Sequence, residues 1–408
     1  MVMRKLIIVL LMGILITGIL LVGLQRYFER PIRPTFIPTS PSRKKGTLYI
    51  GIMVHLEGWD EEVVNEEVFK KHADVARKFA SVIEKYGAKA TFEASPEFIE
   101  ACKRWNDNVL RELFERGHGL GVHADLGGAV EKEGLTQESF ASKLAEMKRA
   151  IESLTGIKIR HVSGICSTLD WVRAAADAGY EFTTGTVAYC VMSMPENERP
   201  AEFRNCPSPA ACHDTFPVNQ KDRMHPWRTS TGRNWLEVDP NGRLVILPAS
   251  GVLKGMKEEM EGKLGVGGED KFTEEDIDTY IDLLEEALSY AEADKVNIFY
   301  LGWSIGSPNI KEDLLEKWLD AIQPYVKAGK VEWKTLPEMY EAFIQWEASK
   351  QVGLVQSQTS NQESGESYPL LIVHCGPIMT KDKFVHTKIS PSHKFSMLSC
   401  QCPHYTKN

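Results

Sequence analysis

The chain has 408 residues, of which 43% are hydrophobic and 25% are charged, and its formal net charge is -8. This is the composition of a globular protein with one large domain or two smaller ones. The negative balance and the lack of a basic stripe argue against nucleic acid as a partner, because a phosphate backbone needs a basic protein face.

The N-terminus carries an apolar run from Leu6 to Leu24, directly after Arg4 and Lys5. A helix of about 20 apolar residues crosses the hydrocarbon core of a bilayer. No small-residue cleavage site follows, so residues 1–30 are predicted to be an uncleaved signal anchor, with a cleaved signal peptide as the alternative. The Pro-rich residues 31–46 form a predicted tether. We therefore expect a single-pass membrane protein whose globular body lies outside the cytoplasm.

From residue 47 to 349, strand-like runs alternate with amphipathic helical patterns. Strands are predicted at 48–54, 88–92, 119–123, 157–162, 180–184, 244–247, 296–301 and 331–334. Helices are predicted at 69–83, 109–116, 136–154, 170–178, 273–292 and 311–327. This alternation indicates an α/β fold with a parallel sheet, and at this length a distorted (β/α) barrel of seven to eight strands.

Two pairs of polar side chains end two of the predicted strands. His55 and Glu57 follow the first strand, and His123 and Asp125 follow the third. The i, i+2 spacing turns both members of a pair to the same side of an extended chain. Imidazole and carboxylate are ligands of divalent metal ions, so these four residues are the predicted metal site.

Residues 188–241 interrupt the alternation with a segment rich in Pro, Asn, Arg and Cys. An insertion of this length is predicted to be a lid or a substrate-binding loop, and structural padding is the alternative. Cys206 and Cys212 close a short loop, which favours a disulfide in an oxidising compartment over a zinc knuckle with His213; free thiols are the alternative for a cytoplasmic body. Residues 350–408 form a predicted low-complexity and irregular tail, with disorder expected at 357–367.

Two segments, Tyr86–Phe92 and Glu115–His123, resemble the second strand and the histidine-bearing strand of the polysaccharide deacetylase (NodB homology) superfamily. Similar elements follow at Thr155–Gly156, Asp177–Tyr180, Leu247–Ser250 and Gly329–Met339. The resemblance covers residues 47–343. It implies a distorted barrel that uses a divalent metal ion, with zinc the expected one, to remove acyl groups from amino sugars in a carbohydrate substrate.

The catalytic motifs of the family match only in part. Its first strand ends in two adjacent aspartates, whereas the strand here ends in His55-Leu56-Glu57-Gly58. Its metal histidines are spaced i, i+4; His123 matches the first, and Gly127 stands in place of the second. A three-ligand site rebuilt from Glu57, His123 and either Asp125 or His55 leaves an open position for water.

The resemblance implies that water attacks an amide or ester carbonyl that the metal polarises. Glu57 or His55 is the expected acceptor of the water proton, and Glu93 or His225 is the candidate acid for the leaving amine. Trp59 and Trp303 are the side chains expected to bind the sugar, together with His225.

Two other functions compete with this one. The residues Gly302–Gly306 fit the G-x-S-x-G pattern of serine hydrolases, but Pro308 interrupts the helix that must follow the serine at once. A barrel that binds glycans or a partner without catalysis is the stronger alternative, since loss of the metal would leave the departures described above.

Overall fold

The computed structural model describes residues 46–59, 61–260 and 271–360, with only the backbone of 351–360. The predicted signal anchor, the tether up to residue 45 and the tail beyond residue 360 lie outside this part of the chain. Within the described residues no helix is both long enough and apolar enough to cross a membrane. The chain divides into the compact unit Met1–Val352 and a second unit, Gly353–Asn408, and the following description concerns the first.

Strands and helices alternate along the described chain. The strands are β1 Leu48–Leu56, β2 Ala90–Ala94, β3 Gly119–His123, β4 His161–Ser163, β5 Phe182–Thr183, β6 Trp227–Thr229, β7 Leu244–Ile246, β8 Asn297–Ser304 and β9 Val331–Trp333. The helices are α1 Glu66–Glu84, α2 Pro96–Arg104, α3 Val109–Glu115, α4 Ala129–Lys132, α5 Gln137–Thr155, α6 Trp171–Asp177, α7 Met256–Met260, α8 Glu274–Tyr290, α9 Glu312–Lys327 and α10 Leu336–Ser360.

The strands form one sheet in the order β6-β7-β5-β4-β3-β2-β1-β8, with β9 paired to the first half of β1. All pairs are parallel except β6 with β7. After β7 the chain continues along β8, where Ser250 N donates to Tyr300 O and Gly302 N donates to Gly251 O. These hydrogen bonds join the segment that follows β7 to β8, and this contact closes the sheet into a ring, as in a distorted barrel.

Alternate residues of each strand face the interior of this ring. Met53, Phe182 and Tyr300 belong to an apolar cluster with Met339 and Phe343 of α10, so this helix fills one end of the barrel. The intervening residues, such as Val54 and Phe92, pack against the surrounding helices. His55 and Glu57 follow Met53 at every second residue, so their side chains also face the interior. They lie at the carboxyl end of β1, opposite the end of the barrel that α10 fills.

All eight predicted strands have counterparts, shifted by a few residues at their ends. The parallel sheet confirms the predicted α/β class. The strand β6 is absent from the prediction because it lies inside the insertion, where a three-residue run leaves no recognisable alternation.

The insertion is irregular but is covalently fixed. It contains five short 3-10 helices and β6. A disulfide joins Cys206 to Cys212, which confirms the predicted bond and excludes the zinc knuckle. A second disulfide, which the sequence analysis did not identify, joins Cys166 after β4 to Cys190. The start of the insertion is therefore tied by a covalent bond to the segment that follows β4.

Replacing Cys190 by serine is expected to cost more stability than replacing Cys212. The bonds have sequence separations of 24 and 6 residues. Loop-closure entropy gives about 3.5 kcal/mol for the longer loop and about 2 kcal/mol for the shorter one. Denaturant unfolding of the two single variants measures the order, and peptide mapping without reductant checks the pairing. Equal losses, or freely alkylatable thiols in fresh protein, would contradict this expectation.

Candidate metal and catalytic site

The site lies in the interior of the barrel at the carboxyl ends of β1 to β4. Strand register places His55 beside Glu93 of β2, and His123 beside Ser163 of β4. Two layers result, with His55 and Glu93 in the lower one and His123 and Ser163 in the upper one. Each residue ends or nearly ends a short buried strand, which holds its backbone firmly.

The two histidine rings stack on each other at the centre of the site. Their centroids are 3.8 Å apart and their planes differ by 22°. Nδ1 of His55 lies 3.4 Å from Glu57 Oε1, and Nε2 of His123 lies 2.9 Å from Glu57 Oε2. Ser304 Oγ donates to the same carboxylate at 3.2 Å. Glu57 therefore bridges the two histidines.

A second carboxylate lies behind the rings. Glu93 is completely buried, and its Oε2 lies 3.2 Å from His55 Nε2. That nitrogen is itself buried and has no well-aligned hydrogen bond among the described residues. Potential ligand atoms of His55, Glu93 and His123 all lie within 4.8 Å of one another, which is a spacing that suits a metal ion.

The electrostatics of the cluster favour a positive charge between the carboxylates. Burial opposes the charged form of His55, but close contacts with Glu57 and Glu93, and the charges of both carboxylates, outweigh it and raise the pKa of His55 to about 10. Burial alone would raise the pKa of Glu57, yet the charge of His123 and contacts with both histidines hold it far below its usual range. A proton supplies positive charge here, and a divalent metal ion is the other species that these ligand types accept.

A cavity of about 230 Å³ opens onto the cluster. Residues that border it include His55, Glu57, His123, Asp125, Tyr189 and His213. Asp125 is exposed and has a φ of 43°, in the left-handed region that aspartate tolerates better than most residues. The cavity is thus built by strand ends on one side and by the insertion on the other.

His213 is a candidate functional residue that sequence reasoning considered only as a zinc ligand. It follows the disulfide-bonded Cys212 and borders the cavity. Burial and, next, the nearby charge of His55 lower the pKa of His213. No spacing in the sequence links this loop histidine to the strand ends, so only the fold reveals the proximity.

His225 does not reach the site, which corrects the prediction that it acts there. Its Nδ1 contacts Val296 O at 3.0 Å, and its Nε2 lies 3.4 Å from Glu292. Both partners precede β8, whereas the site lies at the other end of that strand, beside Ser304. A strand of 8 residues separates the two ends.

The two tryptophans expected to bind sugar are engaged in packing. Trp303 borders the cavity, but it is only 1% exposed and its ring packs against Phe79 and Phe272 in the outer core. Trp59 stacks on His72 at 4.9 Å and donates from Nε1 to Ile305 O. Trp303 is buried, and Trp59 is partly exposed but does not border the cavity, so the binding role predicted for both is corrected.

The role of Glu93 as an acid for the leaving group is also corrected. Its carboxylate has no exposed surface, and Ser163, Thr184 and His161 donate hydrogen bonds to it. Burial opposes ionisation, but hydrogen bonds from His161 and His55 outweigh it and lower the pKa of Glu93 well below its usual range. A buried, ionised acceptor does not deliver a proton to a substrate in the cavity.

The G-x-S-x-G pattern at the end of β8 is not a nucleophile turn. Ser304 is the last residue of the strand and donates to Glu57. The next helix begins only at Glu312, whereas a serine hydrolase needs a helix directly after the serine. The serine hydrolase alternative is therefore not supported.

No protein-family model and no curated protein matches the chain. Among solved structures, the chain is similar to a protein assigned as a polysaccharide deacetylase in Mycobacterium smegmatis, with 12% identity, a TM-score of 0.47, and coverage of 76% of this chain and 95% of that one. It is also similar to Puue allantoinase, with 13% identity, a TM-score of 0.46, and coverage of 74% and 93%.

The peptidoglycan N-acetylglucosamine deacetylase Bc1960 is a third similar structure, with 12% identity, a TM-score of 0.34, and coverage of 73% of this chain and 90% of that one. Two of these three proteins, the one from Mycobacterium smegmatis and Bc1960, are described as deacetylases.

Proposed function

We propose that this protein is a membrane-anchored, metal-dependent hydrolase that removes acyl groups from glycans containing amino sugars. The observation that carries the proposal is the convergence of His55, Glu57 and His123 on one cavity at the carboxyl ends of the strands. Two imidazoles and one carboxylate form a common catalytic zinc set, which leaves an open position for reactants. The sequence resemblance to polysaccharide deacetylases supports the reaction class.

The donor set fits a divalent metal ion on the cavity side of the histidines. Glu57 borders the cavity and its side chain is 28% exposed, whereas Glu93 is buried behind the rings. A catalytic metal must be reached by substrate, so His55, His123 and Glu57 are the proposed ligands. When bound, the ion supplies Lewis acidity toward the carbonyl oxygen and the attacking water.

One of the remaining groups that border the cavity suits both proton transfers. Asp125 is an exposed carboxylate outside the ligand cluster, and we assign it as the acceptor of the water proton. The same carboxylate then returns this proton to the leaving amine, because His213, which also borders the cavity, has a lowered pKa and carries no spare proton near pH 7. The cavity of about 230 Å³ accommodates a small group, in keeping with an acetamido substituent.

The test is metal content together with deacetylation by the purified full-length protein. After dialysis we expect about one equivalent of divalent metal per chain, and acetate release from N-acetylglucosamine oligomers. Chelation should stop the release, and added Zn²⁺ should restore it. If the protein holds no metal and releases no acetate, yet retains the oligomers on an affinity column, the non-catalytic glycan-binding function replaces this proposal.

Membrane anchoring is the second part of the proposal, and it rests on the apolar run Leu6–Leu24. The protein is expected to stay in the membrane pellet after washing with alkaline carbonate. Recovery of a shortened soluble form that starts after residue 24 would instead identify a cleaved signal peptide. In the anchored protein, the tether would let the site reach glycans near the membrane surface.

A further inference from the structure

Behind the two histidines lies a network of hydrogen bonds centred on Glu93. Thr184 Oγ1 donates to Glu93 Oε1 at 2.7 Å, and His161 Nε2 lies 3.0 Å from the same oxygen. Ser163 Oγ donates to Oε2, beside which His55 Nε2 lies at 3.2 Å. All of these groups lie inside the barrel.

The number of acceptor sites on Glu93 limits what it can do. An ionised carboxylate offers about four lone-pair positions. Ser163, Thr184 and His161 take three, and the fourth faces His55 Nε2. Glu93 has therefore no position left for an ion in the cavity, which it does not border.

The single proton of Ser163 sets the orientation of His123. Because Ser163 gives that proton to Glu93, its oxygen can only accept from His123 Nδ1, which lies 2.8 Å away. Nδ1 then carries the ring hydrogen, and the lone pair is on Nε2, which faces Glu57.

The same reasoning applies to the second histidine. His55 Nε2 faces the carboxylate of Glu93, an acceptor only, so the ring hydrogen belongs on that nitrogen. In the neutral ring that binds a metal ion, the lone pair is then on Nδ1, which lies 3.4 Å from Glu57. One buried carboxylate thus turns a free nitrogen of each histidine toward the cavity.

We propose that Glu93 is a positioning residue that presents His55 directly, and His123 through Ser163, to a divalent metal ion on the cavity side. This inference rests on the proposed function and explains why a glutamate occupies the interior of β2. Carboxylate partners of metal-binding histidines fix the ring orientation and the nitrogen that binds.

The network around Glu93 needs a glycine at the neighbouring position of β3, because a side chain there would collide with His161. Gly121 lies beside Glu93 in the sheet, and a Cβ at this position would lie 2.1 Å from His161 Nε2. His161 in turn stacks on Phe182 at 4.6 Å. Glu93 therefore lies among closely packed, buried side chains.

The experiment compares two hydroxyl deletions in the full-length protein. Ser163→Ala and Thr184→Val each remove one donor to Glu93, but only Ser163 also contacts a histidine. We expect Zn²⁺ affinity, measured by competition with a chromophoric chelator, to fall about 10 to 100-fold in Ser163→Ala and Glu93→Gln. Thr184→Val should change it much less. The visible absorption of bound Co²⁺ should shift in Ser163→Ala and stay unchanged in Thr184→Val.

The outcomes separate this inference from the proposed function. If wild-type protein binds Zn²⁺ and both hydroxyl deletions weaken binding equally, Glu93 has only a structural role and the inference fails while the metal site stands. Unchanged affinity in Glu93→Gln also overturns it. If Glu93→Gln does not fold, the pair of hydroxyl variants decides alone. A wild-type protein without Zn²⁺ affinity overturns the proposed function and the inference with it.

Discussion

His123→Ala is expected to abolish metal-dependent hydrolysis while the barrel stays folded. The imidazole contacts Glu57 on one side and Ser163 on the other, so its loss removes a ligand and the link to Glu93. Loss of a partner of a metal ligand costs about 10 to 100-fold in affinity, and loss of the ligand itself should cost more than about 100-fold. A Lewis-acid contribution of about 4 kcal/mol corresponds to about 10³-fold in rate.

The matched control is His225→Ala, the same change at a histidine that lies beside the start of β8, away from the site. Its contacts are with Val296 O and Glu292, outside the site. Metal affinity and acetate release should stay at the wild-type level in this variant. Metal titration and rate measurements on both proteins test the expectation. Retention of full activity by His123→Ala would remove the catalytic interpretation.

Much of the fold follows from the sequence, because periodicity reports buried faces. The run that ends at His55 and the run that ends at His123 both form inward-facing strand ends, as their parity predicts. The spacing of Cys206 and Cys212 also identified their bond. These features are local, so the residue pattern of one short segment is enough to predict each of them.

The network behind the site has no local signal. Glu93 and Thr184 are 91 residues apart, and Glu93 and Ser163 are 70 residues apart. Strand order and register bring them together, and neither is encoded by a spacing. The role assigned to His225 was wrong for the same reason, since its place within the irregular insertion does not show which end of the barrel it faces.

A glycine explains the departure from the family pattern of metal histidines. Gly127, at the position of the second histidine, is buried, and a Cβ there would lie 2.5 Å from the backbone oxygen of Cys166. Cys166 is fixed by its disulfide to Cys190, so this oxygen has little freedom to move. A histidine is therefore excluded sterically, and a ligand from another strand, His55, takes its role in the proposed site.

Gly127→His is accordingly expected to destabilise the protein without strengthening metal binding. Forcing a side chain into a packed site costs about 1 to 3 kcal/mol. The neighbouring Gly128 offers a control, because it is exposed and a Cβ there meets Pro209 no closer than 3.9 Å.

Denaturant unfolding of Gly127→Ala, Gly127→His and Gly128→Ala, with Zn²⁺ titration of each, tests this account. Both changes at residue 127 should lower the free energy of unfolding, whereas Gly128→Ala should leave it unchanged or raise it by about 0.4 to 1 kcal/mol. Tighter Zn²⁺ binding by a stable Gly127→His would show that a family-like ligand fits after all. In that case His55 would no longer be needed as a ligand, and the assignment of the metal site would return to the family pattern.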